Sequence, residues 1–313
     1  MDIGEKINLI INNVSNVILG KSKVIKLALA SMLSEGHILF EDVPGVGKTV
    51  LARSLARSIG CSFKRVQFTP DLLPSDITGV SVYNQKTNEF EFRKGPILSQ
   101  VVLADEINRG TPRTQSSLLE GMAEKQVTVD GVTRQLPSPF IVMATQNPID
   151  FDGTFPLPEA QLDRFLVKLN IGYPGKEDEA NILTGQQFKH PVESIEPVVS
   201  DSEFLKLQEQ VKKIHVTDSI KNYIVEIVRA TREHQALELG VSPRGSLGIF
   251  KLSQAWAAIQ GRDYVIPDDV KVVAPYVLKH RMVLKSENRL RGREPESIVS
   301  EILSRIEVPV EVK

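Results

Sequence analysis

The strongest chemical signal in the sequence is Asp42-Val43-Pro44-Gly45-Val46-Gly47-Lys48-Thr49. Glycines at 45 and 47 let the backbone curl so that the N–H groups of Gly45, Val46 and Gly47 converge on phosphate oxygens. A helix starting at Lys48 adds its positive end. Lys48 would neutralise charge on the outer phosphates, Thr49 would offer its hydroxyl to Mg²⁺, and Val50 would continue the lining. Such loops usually open with glycine six residues before the lysine. Here that place is held by Asp42, which is expected to change the entry turn more than the phosphate cradle.

A second acidic element gives the loop a direction of use. Val101-Val102-Leu103-Ala104 runs into Asp105-Glu106, placing two carboxylates at the C-terminal end of a buried strand, where ligands bind in open parallel sheets. Asp105 would hold Mg²⁺ through its water shell, and Glu106 would polarise an attacking water, which an ATP-hydrolysing site needs and a kinase does not. A third strand, Phe140 to Thr145, ends in Gln146-Asn147-Pro148. Asn147 would emerge beside Asp105 and orient that water.

These residues need a scaffold that brings strand ends together. Apolar residues at Ile3, Ile7, Ile10, Val14, Val17 and Ile18 follow helical spacing, and a second helix covers Val24 to Leu33. The run His37 to Phe40 is a strand, followed by the glycine-rich turn and a helix from Lys48 to about Ser58. Short β-rich runs recur at Phe63 to Phe68, Gln100 to Ala104, Phe140 to Thr145 and Phe165 to Leu169. Buried runs alternating with helices predict a mainly parallel sheet covered on both faces. Two hairpins interrupt it, at about 79–92 and about 126–134, the second turning on Asp130-Gly131. After Tyr173-Pro174-Gly175 the pattern is helical, with Pro243 and Pro267 where a first helical turn accepts a missing N–H. The expected organisation is an α/β core over 1–172, a connector over 173–199 and a small all-α domain over 200–313.

Composition sets limits. The chain has 313 residues, 41% hydrophobic and 25% charged, with 38 basic against 39 acidic residues. Up to Gly172 there are 18 of each, which leaves 20 against 21 beyond it. Neither half is a polycation, which argues against a bulk grip on nucleic acid or lipid. One cysteine, Cys61, excludes an internal disulfide and a multi-cysteine zinc site and points to a reducing compartment, the cytoplasm. The histidines are scattered without ligand spacing, and neither an export signal nor a membrane span is expected.

Taken together these residues resemble the AAA+ ATPases, and within them the MoxR family. The likeness extends through Leu39 to Pro44, Asp105-Glu106-Ile107-Asn108-Arg109, Gln115 to Met122, Ala144 to Pro148, Leu157 to Phe165, Ser242-Pro243-Arg244-Gly245 and Val273 to Arg281. It implies a P-loop nucleotide-hydrolase core with a helical lid, ATP and Mg²⁺ as cofactors, and Asn147 as a sensor of the γ-phosphate. It also implies Arg164 as an arginine finger reaching a neighbouring subunit's nucleotide, and Arg244 as a second sensor contacting ATP of its own chain. Ile18 and Gly20 would lie near adenine. Arg109 would either serve the subunit interface or brace Glu106. Similar proteins form rings, most often hexamers, act as chaperone-like remodellers that mature or activate a partner protein, and often work with a von Willebrand A-domain partner. The competing expectations are an ATP-driven nucleic-acid motor or loader, against which the charge balance counts, and a nucleotide-dependent switch.

Overall fold

A computed structural model of the chain describes residues 2–148, 153–185 and 191–309. Its centre is a five-stranded, all-parallel sheet. The strands are β1 (Ile38–Glu41), β2 (Phe63–Gln67), β5 (Val101–Asp105), β8 (Ile141–Gln146) and β9 (Val167–Leu169), in the spatial order β2-β5-β8-β1-β9. Two antiparallel hairpins accompany it: β3 (Gly79–Asn84) pairs with β4 (Glu89–Lys94), and β6 (Gln126–Val129) with β7 (Val132–Gln135).

Strand alternation explains why both faces are covered. Ile38, Phe40, Val101, Leu103, Ile141 and Met143 enter one buried cluster. Their neighbours Leu39, Val102, Ala104, Val142 and Ala144 enter another, with Phe68, Ile107 and Leu118. A residue period of two sends successive side chains to opposite faces, so an uninterrupted apolar run is what a doubly covered strand requires.

The first cluster does not stop at the α/β core. It includes Ile7, Leu29 and Leu51 together with Tyr223, Ile249 and Leu252, because helix Pro243–Ile259 packs on helices Ile3–Ser15 and Ser22–Leu33. The helical half is therefore docked on the side of the core that carries the chain's first two helices. Proline opens helices at Pro112, Pro243, Pro267 and Pro295, where its fixed φ suits the first turn.

The stretch 173–199 contains a helix, Lys176–Gly185, and a 3₁₀ turn, Pro191–Ser194. One detail differs from the sequence reading. The helical half contains a short antiparallel ladder, β10 (Leu237–Leu239) with β11 (Val283–Leu284), too short to produce readable alternation. The final apolar stretch from Ile306 is irregular through Pro309, and its continuation lies outside the described residues.

The hairpins touch each other: the Arg134 guanidinium lies over the Phe92 ring at 3.7 Å from its centroid, a cation–π contact. Across the first hairpin Tyr83 and Phe90 pair edge to face, and Phe90 remains 74% exposed. Among the described residues no helix is long and apolar enough to cross a membrane.

Candidate nucleotide site

The carboxyl ends of β1, β5 and β8 meet at one cleft of about 360 Å³, lined by Pro44, Gly45, Gly47, Lys48, Thr49, Val50, Arg65, Gln67, Asp105, Glu106 and Asn147. A neighbouring apolar cavity of about 190 Å³ shares Gly45, Gly47 and Val50 with it. Val46, Ile18, Leu19, Lys21, Ile171 and Ile182 also line this second cavity. A polar cleft continuous with an apolar one suits a ligand with a charged end and a flat uncharged end. Two larger grooves, of about 590 and 580 Å³, lie between helices Asp218–Glu233 and Pro295–Arg305. They are lined by a mixture of acidic, basic and apolar residues and include none of the phosphate-loop or strand-end residues, so volume alone does not identify the site.

The loop that bounds the cleft is built as its sequence requires. Gly45 and Gly47 have φ of 86° and 91°, a left-handed conformation that costs a side-chain-bearing residue about 1 kcal/mol or more. Nothing lies within 4 Å of where either would carry a Cβ, so the left-handed φ, and not crowding, is what calls for glycine. Helix Lys48–Ser58 begins directly after Gly47. Lys48 Nζ donates to the Asp42 carbonyl at 2.6 Å. Burial lowers the Lys48 pKa, opposed by Asp42, Asp105 and Glu106.

Asp42 explains the missing glycine. Its carboxylate accepts from the Val43 amide at 3.0 Å and from the Ile171 and Gly172 amides at 2.6 and 2.7 Å. The side chain thus ties the loop entry to the end of the core, and no left-handed residue is needed there.

Asp105 and Glu106 sit in a closed circuit of hydrogen bonds. Thr145 Oγ1 donates to Asp105 Oδ1 at 2.5 Å and accepts from the Glu106 amide at 2.8 Å. Arg65 Nε donates to Asp105 Oδ2 at 2.8 Å, and Arg65 Nη2 donates to the Gln67 side-chain oxygen at 2.5 Å. Gln67 then donates to Glu106 Oε2 at 2.8 Å, and Arg109 Nη1 approaches that oxygen at 3.3 Å. Glu106 itself has φ 55°, strain of about 1–2 kcal/mol that turns its side chain into the cleft.

The donor chemistry fits a hard divalent cation. Thr49 and Asp105 supply oxygens on one wall, but among the described residues no three His, Cys, Asp or Glu groups gather as a metal set. Such a site is completed by phosphate oxygens and water, as Mg²⁺ prefers.

Two expected residues stand apart from this lining. Arg164 Nη1 donates to the Leu119 carbonyl at 2.6 Å. Arg244 is exposed and lies 3.7 Å from Asp163, at the start of a helix that packs on Ser22–Leu33. Gly20 is next to, not among, the lining residues Leu19 and Lys21, and has φ 70°.

Against known proteins, the AAA model described as ATPase family associated with various cellular activities matches residues 37–167, and the AAA lid domain matches 229–302. Chaperone MoxR1 of Mycobacterium tuberculosis is 42% identical over 95% of this chain and 80% of its own, and Protein MoxR of Paracoccus denitrificans is 30% identical over 86% of each. The chain belongs to the MoxR family of AAA+ ATPases. Uncharacterized protein YeaC of Bacillus subtilis is 56% identical over 96% of this chain and 94% of its own. The crystal structure of a putative ATPase from Cytophaga hutchinsonii superposes with a TM-score of 0.92 at 38% identity, covering 98% of this chain and 96% of that one.

Sequence reading of this MoxR-family chain missed Arg65, Gln67 and Thr145. Arg65 and Gln67 are two apart on β2 and so share a face, and Gln67 lies in register with Asp105. Polar residues at alternate positions near the end of a strand, Arg65 and Gln67 in Phe63-Lys64-Arg65-Val66-Gln67, were the available signal.

Proposed function

We propose that this chain is an Mg²⁺-dependent ATP hydrolase that works in a ring, a hexamer, and remodels a partner protein. The observation that carries this reading is the cleft itself, where phosphate loop, Asp105, Glu106 and Asn147 converge while Arg164 lies outside. A cleft whose lining omits Arg164 fits a neighbour supplying that guanidinium.

In this reading the amides of Gly45, Val46 and Gly47 hold the phosphates and Lys48 leaves the Asp42 carbonyl for the outer phosphate oxygens. Thr49 and Asp105 hold Mg²⁺, which supplies charge to offset the phosphate oxygens. Glu106 accepts a proton from the attacking water, and Asn147 orients that water against the γ-phosphate. Val50, Ile18 and Gly20 border the adenine. Arg164 serves the adjacent subunit. Arg244 is linked to the Arg164 segment through Asp163, so we assign it to that same boundary instead of its own cleft. That the Mycobacterium tuberculosis relative is named a chaperone favours a protein client over nucleic acid, and a von Willebrand A-domain protein is the proposed partner.

The test is Glu106→Gln in the full chain. ATP should remain bound while turnover falls about 10²- to 10⁴-fold, the range for removing a positioned general base. Turnover close to wild type would remove Glu106 from the chemistry. Strong salt-sensitive stimulation of wild-type hydrolysis by DNA would instead favour a motor.

A further inference from the structure

Arg65 occupies the position from which a cation would meet the carboxylate of the cleft. Its Nε donates to Asp105 Oδ2 at 2.8 Å, and its Nη2 lies 2.6 Å from the same oxygen. The other oxygen, Oδ1, is taken by the Thr145 hydroxyl at 2.5 Å. Both oxygens of Asp105 are thus engaged. A hydrated metal ion can use Oδ2 only after the guanidinium has moved.

The two partners are not equally able to move. The Asp105 side chain is 12% exposed and held from behind by Thr145, whereas the Arg65 side chain is 48% exposed and lines the open cleft. The guanidinium can swing into solvent at little cost, but the carboxylate cannot. Without a positive partner, a nearly buried carboxylate would be penalised whenever the cleft is empty.

We propose that Arg65 is a built-in stand-in for the divalent cation: it neutralises Asp105 when no metal is bound, is displaced when metal enters with nucleotide, and thereby sets the metal affinity of the site. The proposal rests on the assignment of Asp105 to the metal made above. A competitor bound to the same oxygen reduces apparent metal affinity by the fraction of chains in which the pair is intact. Removing the guanidinium must therefore tighten metal binding. An arginine that gripped phosphate would have the opposite sign, because its loss would weaken nucleotide binding.

The experiment titrates Mn²⁺ into full-length protein saturated with ADP, reading free Mn²⁺ by electron paramagnetic resonance, with ADP affinity measured separately in EDTA by calorimetry. Arg65→Met should bind Mn²⁺ about three- to tenfold more tightly, the range expected for a half-exposed charge pair. Its ADP affinity without metal should stay within about twofold of wild type, since no step above assigns Arg65 to phosphate. Arg65→Lys, which keeps the charge but loses the two-nitrogen grip on one oxygen, should fall between. Unchanged or weaker Mn²⁺ binding in Arg65→Met, or loss of ADP affinity in EDTA, would overturn the proposal while leaving the ATPase reading intact. Mn²⁺ affinity left unchanged by Asp105→Asn would instead remove the metal assignment beneath it.

Discussion

Arg281, from the helical half of the chain, donates through Nε to Asp163 Oδ1 at 2.8 Å, directly beside Arg164. Its side chain is 4% exposed, and its other nitrogens donate to the carbonyls of Phe165, Leu166 and Val277. Asp163 also accepts from Ser242 Oγ at 3.2 Å. The segment carrying Arg164 is thus held by residues far along the chain. Burial lowers the Arg281 pKa, and Asp163 opposes that shift. Asp163→Ala should cost about 3 kcal/mol, because it strands a buried guanidinium. Urea unfolding measures it, and a loss below about 1 kcal/mol would show that the backbone carbonyls alone suffice.

Arg164→Ala tests the proposed boundary role. Turnover should fall about 10³-fold or more, the scale for removing a transition-state arginine. Mixing this variant with Lys48→Ala subunits should restore part of the activity, since some boundaries then pair an intact cleft with an intact arginine. No recovery at any mixing ratio would argue that Arg164 acts within its own chain.

Asp42→Gly introduces the residue usual at this loop position, yet it should destabilise the protein. Three backbone amides lose a charged acceptor, and each such bond contributes about 1–3 kcal/mol. A net loss of about 2 kcal/mol or more is expected by thermal or urea unfolding, with the phosphate loop itself unchanged. Equal or greater stability would mean that glycine's freedom outweighs the anchor.

His37 gives stability a defined pH dependence. Its Nδ1 accepts from the Val142 amide at 3.0 Å, leaving Nε2–H to donate to the Met122 carbonyl at 3.3 Å. Burial drives its pKa down to about 4, from an ordinary value of 6.5. The unfolded chain therefore binds more protons between these values. The contribution is fully present above pH 6.5 and is lost as pH falls towards 4, by about 3 kcal/mol at most. Burial pushes His280 in the same direction. Urea midpoints measured at pH 7.5, 6, 5 and 4 should fall progressively below 6.5, and His37→Gln should flatten part of that slope. A midpoint that is flat between pH 7.5 and 4.5 would contradict the neutral, buried assignment.

Local patterns carried a large share of the fold. The helix starting at Lys48 and ending at Ser58 was legible because a glycine turn precedes it and apolar spacing continues through it. The turn Asp130-Gly131 announced the second hairpin, where both residues have positive φ. Asp105 and Glu106 could be placed at a strand end because four apolar residues lead into them. By contrast β10 and β11, with three and two residues, are shorter than the stretch over which alternation becomes visible.

The sequence by itself determined the strands of the central sheet and of the hairpins, the phosphate loop, the acidic pair and the family likeness, since each depends on residues close together in the chain. Tertiary structure alone decided which distant side chains meet. Arg65 reaches Asp105 across 40 positions through the register of two parallel strands, and Arg281 reaches Asp163 across 118 through the docking of the helical half. Neither separation follows a helical or strand period. Apolar packing on both sheet faces sets where those elements stop moving, and only then does a charged group acquire a particular partner.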